Sequence, residues 1–283
     1  MKKYGYILLL ILALSSLSGC VSINEVDEDK VKDVSDKITE AIINTVGKEK
    51  ADRQESHTVN AENLNTLNIK SSVGDINITT HESKDVLINL NITAQSSSKE
   101  KSKKLVDDFS YTVEENTNSI DVDTSFSDLA IGDDNVSTDL TITVPVNIQN
   151  VIISLNVGDI NIKKTDGKFE VITNVGEINI ENSQGSYNLK TNVGEIIVSS
   201  DAAIKNSEFI TNTGDIILSF NDITNADIIK ATTDVGDISV TVPENSSYEA
   251  VINEFMEKER TMSNGDKRTN IKFKTGVGSI EFN

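Results

Sequence analysis

The chain has 283 residues, a formal net charge of −19 from 45 acidic and 26 basic side chains, and a single cysteine. A balance this acidic repels phosphate backbones and anionic headgroups, which excludes nucleic acid as a partner and a membrane-lying surface. One cysteine excludes an internal disulfide framework, so burial and backbone pairing must hold the fold.

The first predicted element is a targeting segment. Lys2 and Lys3 precede an apolar run from Tyr6 to Leu14, and Leu17-Ser18-Gly19-Cys20 comes next. The run is shorter than the ~20 residues a membrane-spanning helix needs, and it suits a signal peptide over residues 1–19. Leu-Ser-Gly-Cys resembles the lipobox of bacterial lipoproteins. That resemblance implies lipidation of the Cys20 thiol, cleavage before it, and an extracytoplasmic chain lipid-anchored to the bacterial cell membrane. Cleavage removes two lysines and no acid, so the mature chain is more acidic still.

Residues 20–63 read as a charged linker. Val31, Val34, Ile38, Ile42 and Val46 recur at three- and four-residue steps, which predicts an amphipathic helix ending near Gly47. It serves as a stalk off the membrane or as a cap on the first repeat.

From Leu64 the apolar period becomes two, and one phrase returns: apolar, Gly, acid, Ile, any residue, apolar. It reads Val73-Gly74-Asp75-Ile76-Asn77-Ile78, and recurs around Gly158, Gly176, Gly194, Gly214, Gly236 and Gly278. Thr213 replaces the first valine once, and Ser279 replaces the acid once. From Gly158 to Gly236 the period is 18 to 22 residues. A fixed step of this size marks stacked repeats that bury their apolar faces on one another. The inward parity switches at each glycine: Ile153, Leu155 and Val157 give way to Ile160 and Ile162. Side chains alternate along a strand, so the switch predicts a bulge or corner where glycine supplies a positive φ. Loops such as residues 182–186 then return the chain to the next rung. The expected fold is all-β: a single-stranded β-solenoid over residues 64–283 with Val/Ile columns inside.

Two stretches depart from the repeat. Residues 79–139 hold a helix candidate at 98–109, a hairpin candidate with Val113 opposite Ile120 and Val122, and an acidic loop with Asp128, Asp133 and Asp134. A strand from Leu140 to Val144, stopped by Pro145, comes after it. Residues 244–270 form a second excursion with a turn at Asn264-Gly265-Asp266. The last rung, ending at Asn283, lacks an obvious cap. Lys267, Arg268, Lys272 and Lys274 lie beside it, and it is a candidate edge for self-association.

The phrase Leu140-Thr-Ile-Thr-Val-Pro145, then Val-Gly-Asp-Ile, then repeated Thr-Asn-Val-Gly-Glu-Ile, resembles the putative-adhesin, or toastrack, β-repeat family of bacterial envelope proteins. The resemblance runs over about 64–283. It implies a β-solenoid in an extracytoplasmic, membrane-linked setting, and it carries over no catalytic residue.

Asp159, Glu177, Glu195, Asp215 and Asp237 should stack along one edge about 4.8 Å apart. At that spacing unit charges repel by about 0.9 kcal/mol in water. The edge is either hydrated, or a candidate site for a Ca²⁺ ion or a partner. Asn156, Asn174, Asn192, Asn212 and Asp234 should form an outward ladder of stacked amides.

Catalytic signatures are lacking. The two histidines, His57 and His81, lie outside the regular repeats, and no nucleophile elbow, zinc-protease motif or phosphate loop occurs. No cofactor is expected. The reading is a non-catalytic, lipid-anchored adhesive, scaffolding or envelope-stress-sensing module, with an envelope protein or polysaccharide as partner. The alternative is a polysaccharide-binding or polysaccharide-cleaving β-helix, against which the scarcity of exposed aromatics counts.

Overall fold

The computed structural model describes residues 49–126, 134–203, 205–254, 259–266 and 269–283. The signal segment, Cys20, the helix expected before Gly47, and Asp128, Asp133, Lys267 and Arg268 lie outside them.

In chain order the strands open with β1 (Glu49–Asn60), β2 (Thr66–Val73), β3 (Ile76–His81) and β4 (Asp85–Ser96). Helix α1 (Lys99–Asp108) is next, then β5 (Thr112–Glu115), β6 (Ser119–Thr124), β7 (Asn135–Pro145), β8 (Asn150–Val157) and β9 (Ile160–Lys163). After these come β10 (Gly167–Val175), β11 (Ile178–Val193), β12 (Ile196–Ala203), β13 (Lys205–Thr213), β14 (Ile216–Phe220) and β15 (Ala226–Val235). The chain closes with β16 (Ile238–Thr241), β17 (Tyr248–Asn253), β18 (Arg260–Asn264), β19 (Thr269–Val277) and β20 (Ile280–Phe282). The chain is nearly all β, as expected.

The strands pair into two ladders. One runs β5–β6–β2–β8–β10–β11–β13–β15–β19–β17–β18, parallel except for the pairs at its two ends. The other runs β1–β4–β7–β3–β9–β11–β12–β14–β16–β20, with its first two pairs antiparallel. β11 belongs to both. Its first residues align Ile178 with Ile160 and Ile196, and its last align Val193 with Val175 and Thr213. The expected loop at 182–186 is therefore strand. The chain bends within it at Asn182, whose φ is +50°, and the register shifts beside it.

Register is set by the apolar columns. Ile78, Ile162, Ile180, Val198, Leu218, Val240 and Phe282 are successive partners in the second ladder. A slip of one residue would turn every such column to solvent, and each buried Ile or Leu contributes about 1.5–3 kcal/mol. In the first ladder Phe169 stacks on Tyr187 at 5.3 Å between centroids, with the rings 6° from parallel. Tyr187 is fully buried. Its hydroxyl pairs with Ser200 Oγ at 2.7 Å, and burial pushes its pKa well above the usual phenol range.

The 79–139 segment is more than an insertion. Its helix and hairpin form where expected, and β6 and β7 align with β2 and β3 as the rung preceding the first glycine motif. β4 and β1 then continue the second ladder antiparallel, so among the described residues strand pairing reaches back to Glu49 rather than to Leu64. β1 looked like linker because it is rich in charge, yet charge is what protects an edge strand from further pairing. Its Arg53 guanidinium donates to the carbonyls of Val106, Asp107 and Phe109 at 2.9–3.2 Å. It thereby caps the C-terminus of α1, which has no basic residue in its own last turn.

The far end is also covered. β17 pairs in parallel with β19, and β18 folds back antiparallel on β17. The last rung is thus not bare, because the 244–270 excursion lays a strand beside it.

Candidate functional site

The repeated phrase is a hydrogen-bonding device in which each position has one task. At Gly176 the N–H donates to Val193 O of the next rung at 2.9 Å, and Ile178 N donates to Glu195 O at 2.9 Å. Between them lie a carbonyl and an amide that the ladder does not serve. The Gly176 carbonyl accepts from the hydroxyl of buried Thr191 at 3.2 Å. The Glu177 amide donates back to Asp159 Oδ1 at 2.9 Å. Buried backbone groups left unpaired cost about 1–3 kcal/mol each, so threonine and acid hold the corner shut. Thr211, Thr233 and Thr275 repeat the first bond on Gly194, Gly214 and Gly236.

The glycines are dictated by both conformation and space. From Gly158 onward the motif glycines have φ between +142° and +148°, and Gly74 has +129°. These values lie beyond the left-handed helical region expected from sequence, in territory open essentially to glycine alone. A Cβ on Gly194 would sit 2.0 Å from the Gly176 carbonyl oxygen.

The valine before each glycine corrects the parity reading. Val157, Val235 and Val277 are 43%, 47% and 57% exposed. The bend starts at the valine, so at these three the side chain turns outward although alternation points it in, while Val73, Val175 and Val193 are half-buried. The Asn ladder stands as expected: Asn174, Asn192 and Asn212 each donate to the previous asparagine's Oδ1 at 3.0–3.2 Å, beginning from Asn156.

At its aspartates the acidic edge is occupied by backbone. Asp139, Asp75, Asp159, Asp215 and Asp237 accept the amides of Asp75, Asp159, Glu177, Asp237 and Ser279 respectively, at 2.7–3.1 Å. Glu195 takes the same position in its rung. Among the described residues no three His, Cys, Asp or Glu side chains gather into a metal-holding group. At these aspartates one carboxylate oxygen is thus already engaged by a backbone amide. Charge at the edge is still felt. Burial first, then the charges of Asp159 and Asp139, push the Asp75 carboxyl above the usual range, against the pull of the Asp159 amide. The amide and hydroxyl of Ser279 hold Asp237 below it.

His57 and His81 do not meet. His57 Nε2 lies 2.9 Å from the Tyr111 hydroxyl, and His81 Nε2 lies 2.7 Å from Asp85 O. Of the acidic loop, Asp134 accepts from Ser96 Oγ at 2.6 Å and pairs with Lys101 at 2.9 Å.

One open groove of about 450 Å³ lies at the return corners of successive rungs. Gln149, Asn150, Asp166, Lys168, Gln184, Ser186 and Lys205 line it, over a floor at Gly167 and Gly185. The two glycines are register partners, and a Cβ on Gly185 would meet the Gly167 carbonyl oxygen at 2.0 Å. Sequence reasoning missed this groove. Its only signal was polar residues beside Gly167 and Gly185 at one repeat spacing.

Among the described residues no helix is long and apolar enough to cross a membrane. No known protein family and no curated protein matches the chain. Solved structures do resemble it. A putative cell adhesion protein from Clostridium sporogenes is 14% identical with a TM-score of 0.38, over 82% of this chain and 99% of that one. A putative adhesin from Bacteroides fragilis is 15% identical with a TM-score of 0.46, over 82% and 97%. Another from Parabacteroides merdae is 12% identical with a TM-score of 0.37, over 82% and 96%.

Proposed function

We propose that this chain is a non-catalytic envelope module, tethered through a lipidated Cys20, whose two ladders are the walls of a single-stranded β-solenoid. The observation that carries the reading is the corner device. Thr191, Asn192, Gly194 and their equivalents in other rungs spend their polar groups on holding successive rungs in register. A stack so held is a stiff spacer with long polar faces, suited to adhesion, to scaffolding or to sensing strain in the envelope. Repetition lets weak contacts on such a face sum along its length. Strong net acidity keeps the stack soluble and steers it away from anionic surfaces.

The experiment has two arms. Cells expressing the full chain are labelled with a clickable fatty acid and fractionated. Label and membrane association should be present in the wild type and lost in Cys20→Ser. The released chain is then tested for sedimentation with isolated envelope fragments. A wild-type chain that takes no label ends the tether reading, and one that ignores envelope material ends the adhesive one.

A polysaccharide-binding role is the second reading. The corner groove favours it, because the side chains of Gln149, Gln184, Ser186 and Lys205 gather there with no hydrogen bond or ion pair among the described residues.

A further inference from the structure

The corner groove gathers polar side chains that the fold itself leaves unused. Among the described residues the side chains of Gln149, Gln184, Ser186 and Lys205 make no hydrogen bond or ion pair, although they share one concavity. Neighbouring backbone is already used: Lys168 N donates to Gln149 O at 2.7 Å, and Gln184 N donates to Asp166 Oδ1 at 2.8 Å. A peptide adding itself as a strand would find those groups taken. What remains is side-chain chemistry: two carboxamides that each donate and accept, a hydroxyl, and an ammonium. That set matches vicinal hydroxyls.

The floor and the charge narrow the ligand further. Gly167 and Gly185 line the groove's base, so no side chain rises from it. Lys168 is ion-paired with Glu170, Asp166 offers a carboxylate, and the chain carries −19 overall. A polyanion would meet repulsion here, and a neutral chain would not. An extended β-1,4-linked sugar chain advances by about one strand spacing per residue, so sugar and rung keep step along the stack.

We propose that this groove binds a neutral β-1,4-linked polysaccharide lying along the stack, one sugar to a rung, with Gln184 and Lys205 as principal hydrogen-bonding residues. It rests on the adhesive reading and names what is adhered to.

Isothermal titration of the full chain with cellotetraose and with chitotetraose tests it, with oligogalacturonate of equal length as the charged comparison. Saturable binding to at least one neutral sugar is expected, unchanged by added salt. Gln184→Ala and Lys205→Ala should each weaken it about tenfold, the loss of roughly one good hydrogen bond, while Lys104→Ala on α1 should not. No saturation with either neutral sugar overturns the proposal. So does undiminished affinity in Gln184→Ala, or a preference for oligogalacturonate that salt abolishes. Sedimentation with envelope fragments is run in parallel. Envelope binding by a chain that ignores both sugars sinks the groove alone. Sugar binding without envelope binding supports the groove and sinks the adhesive reading.

Discussion

The carboxylate of Glu254 accepts the backbone amide of Ile280 at 2.6 Å. In inner rungs that amide donates to the next rung's carbonyl, as Ile238 N does to Ser279 O at 3.0 Å. Among the described residues no further rung pairs with Ile280, and a side chain from the 244–270 excursion takes its amide. Glu254 is held by Arg260 at 3.1 Å, with its own side chain 11% exposed. A carboxylate thus covers the β20 edge, as β17 covers that of β19.

Removing that stop should expose a pairing edge. Glu254→Ala leaves the Ile280 amide without its acceptor and Arg260 without its partner, at a cost of about 1–3 kcal/mol. It also opens β20 to another copy. Light scattering across a concentration series should show growing mass for the variant and none for the wild type. Equal behaviour of the two chains would mean that Glu254 is not what closes the edge.

Gly194→Ala tests the corner. The added Cβ meets both a φ of +147° and the Gly176 oxygen at 2.0 Å, a contact that side-chain repacking cannot relieve because the obstacle is backbone. Strain at such a φ alone costs about 1–3 kcal/mol, and the clash adds to it. Thermal unfolding should show a clear drop in midpoint, larger than for alanine at an exposed, unstrained site such as Lys104. An unchanged midpoint contradicts the stacked-glycine geometry.

Much of this was legible because strand periodicity leaves a direct trace. Ile160 and Ile162 read as core from spacing alone, and they are buried partners of Ile178 and Ile180 in the adjacent rung. The Val157 reading failed because alternation was carried one residue into a bend. β1 went unread because Glu49 to Asn60 has the composition of a linker, and its pairing partner is fixed by distant β4. The threonine bond to the glycine carbonyl was invisible for a different reason. Thr191 fits the inward apolar parity, and only the unserved carbonyl beside it gives its hydroxyl a task.

Asp159 separates a capping acid from a cation ligand. Asn keeps an Oδ1 for the Glu177 amide and removes a charge from a crowded edge, so Asp159→Asn should melt close to wild type or slightly above it. Ala removes the acceptor from the amide now 2.9 Å away and should cost about 1–2 kcal/mol. Millimolar Ca²⁺ should move none of the three melting curves. A wild-type midpoint raised by Ca²⁺, and not in Asp159→Asn, would assign the edge to a cation.

Two acids at the same place in the motif should respond to pH with opposite sign. Asp237 is held below its ordinary range by the amide and hydroxyl of Ser279. The unfolded state then binds protons more readily, so this contribution is present above the ordinary Asp range and is lost as pH falls through the folded value. Asp237→Asn should therefore destabilise at neutral pH and converge with wild type in acid. Asp75 is pushed up, by burial first and by the charges of Asp159 and Asp139 next. Here the folded state binds the proton more tightly, and stability declines as pH rises from the ordinary Asp value through the folded one. Asp75→Asn should be the more stable chain at neutral pH, with the difference vanishing in acid. Denaturant melts at pH 7 and near pH 3 on both variants give the two signs. If both variants shift in the same direction at pH 7, position in the stack does not set the environment of these carboxyls.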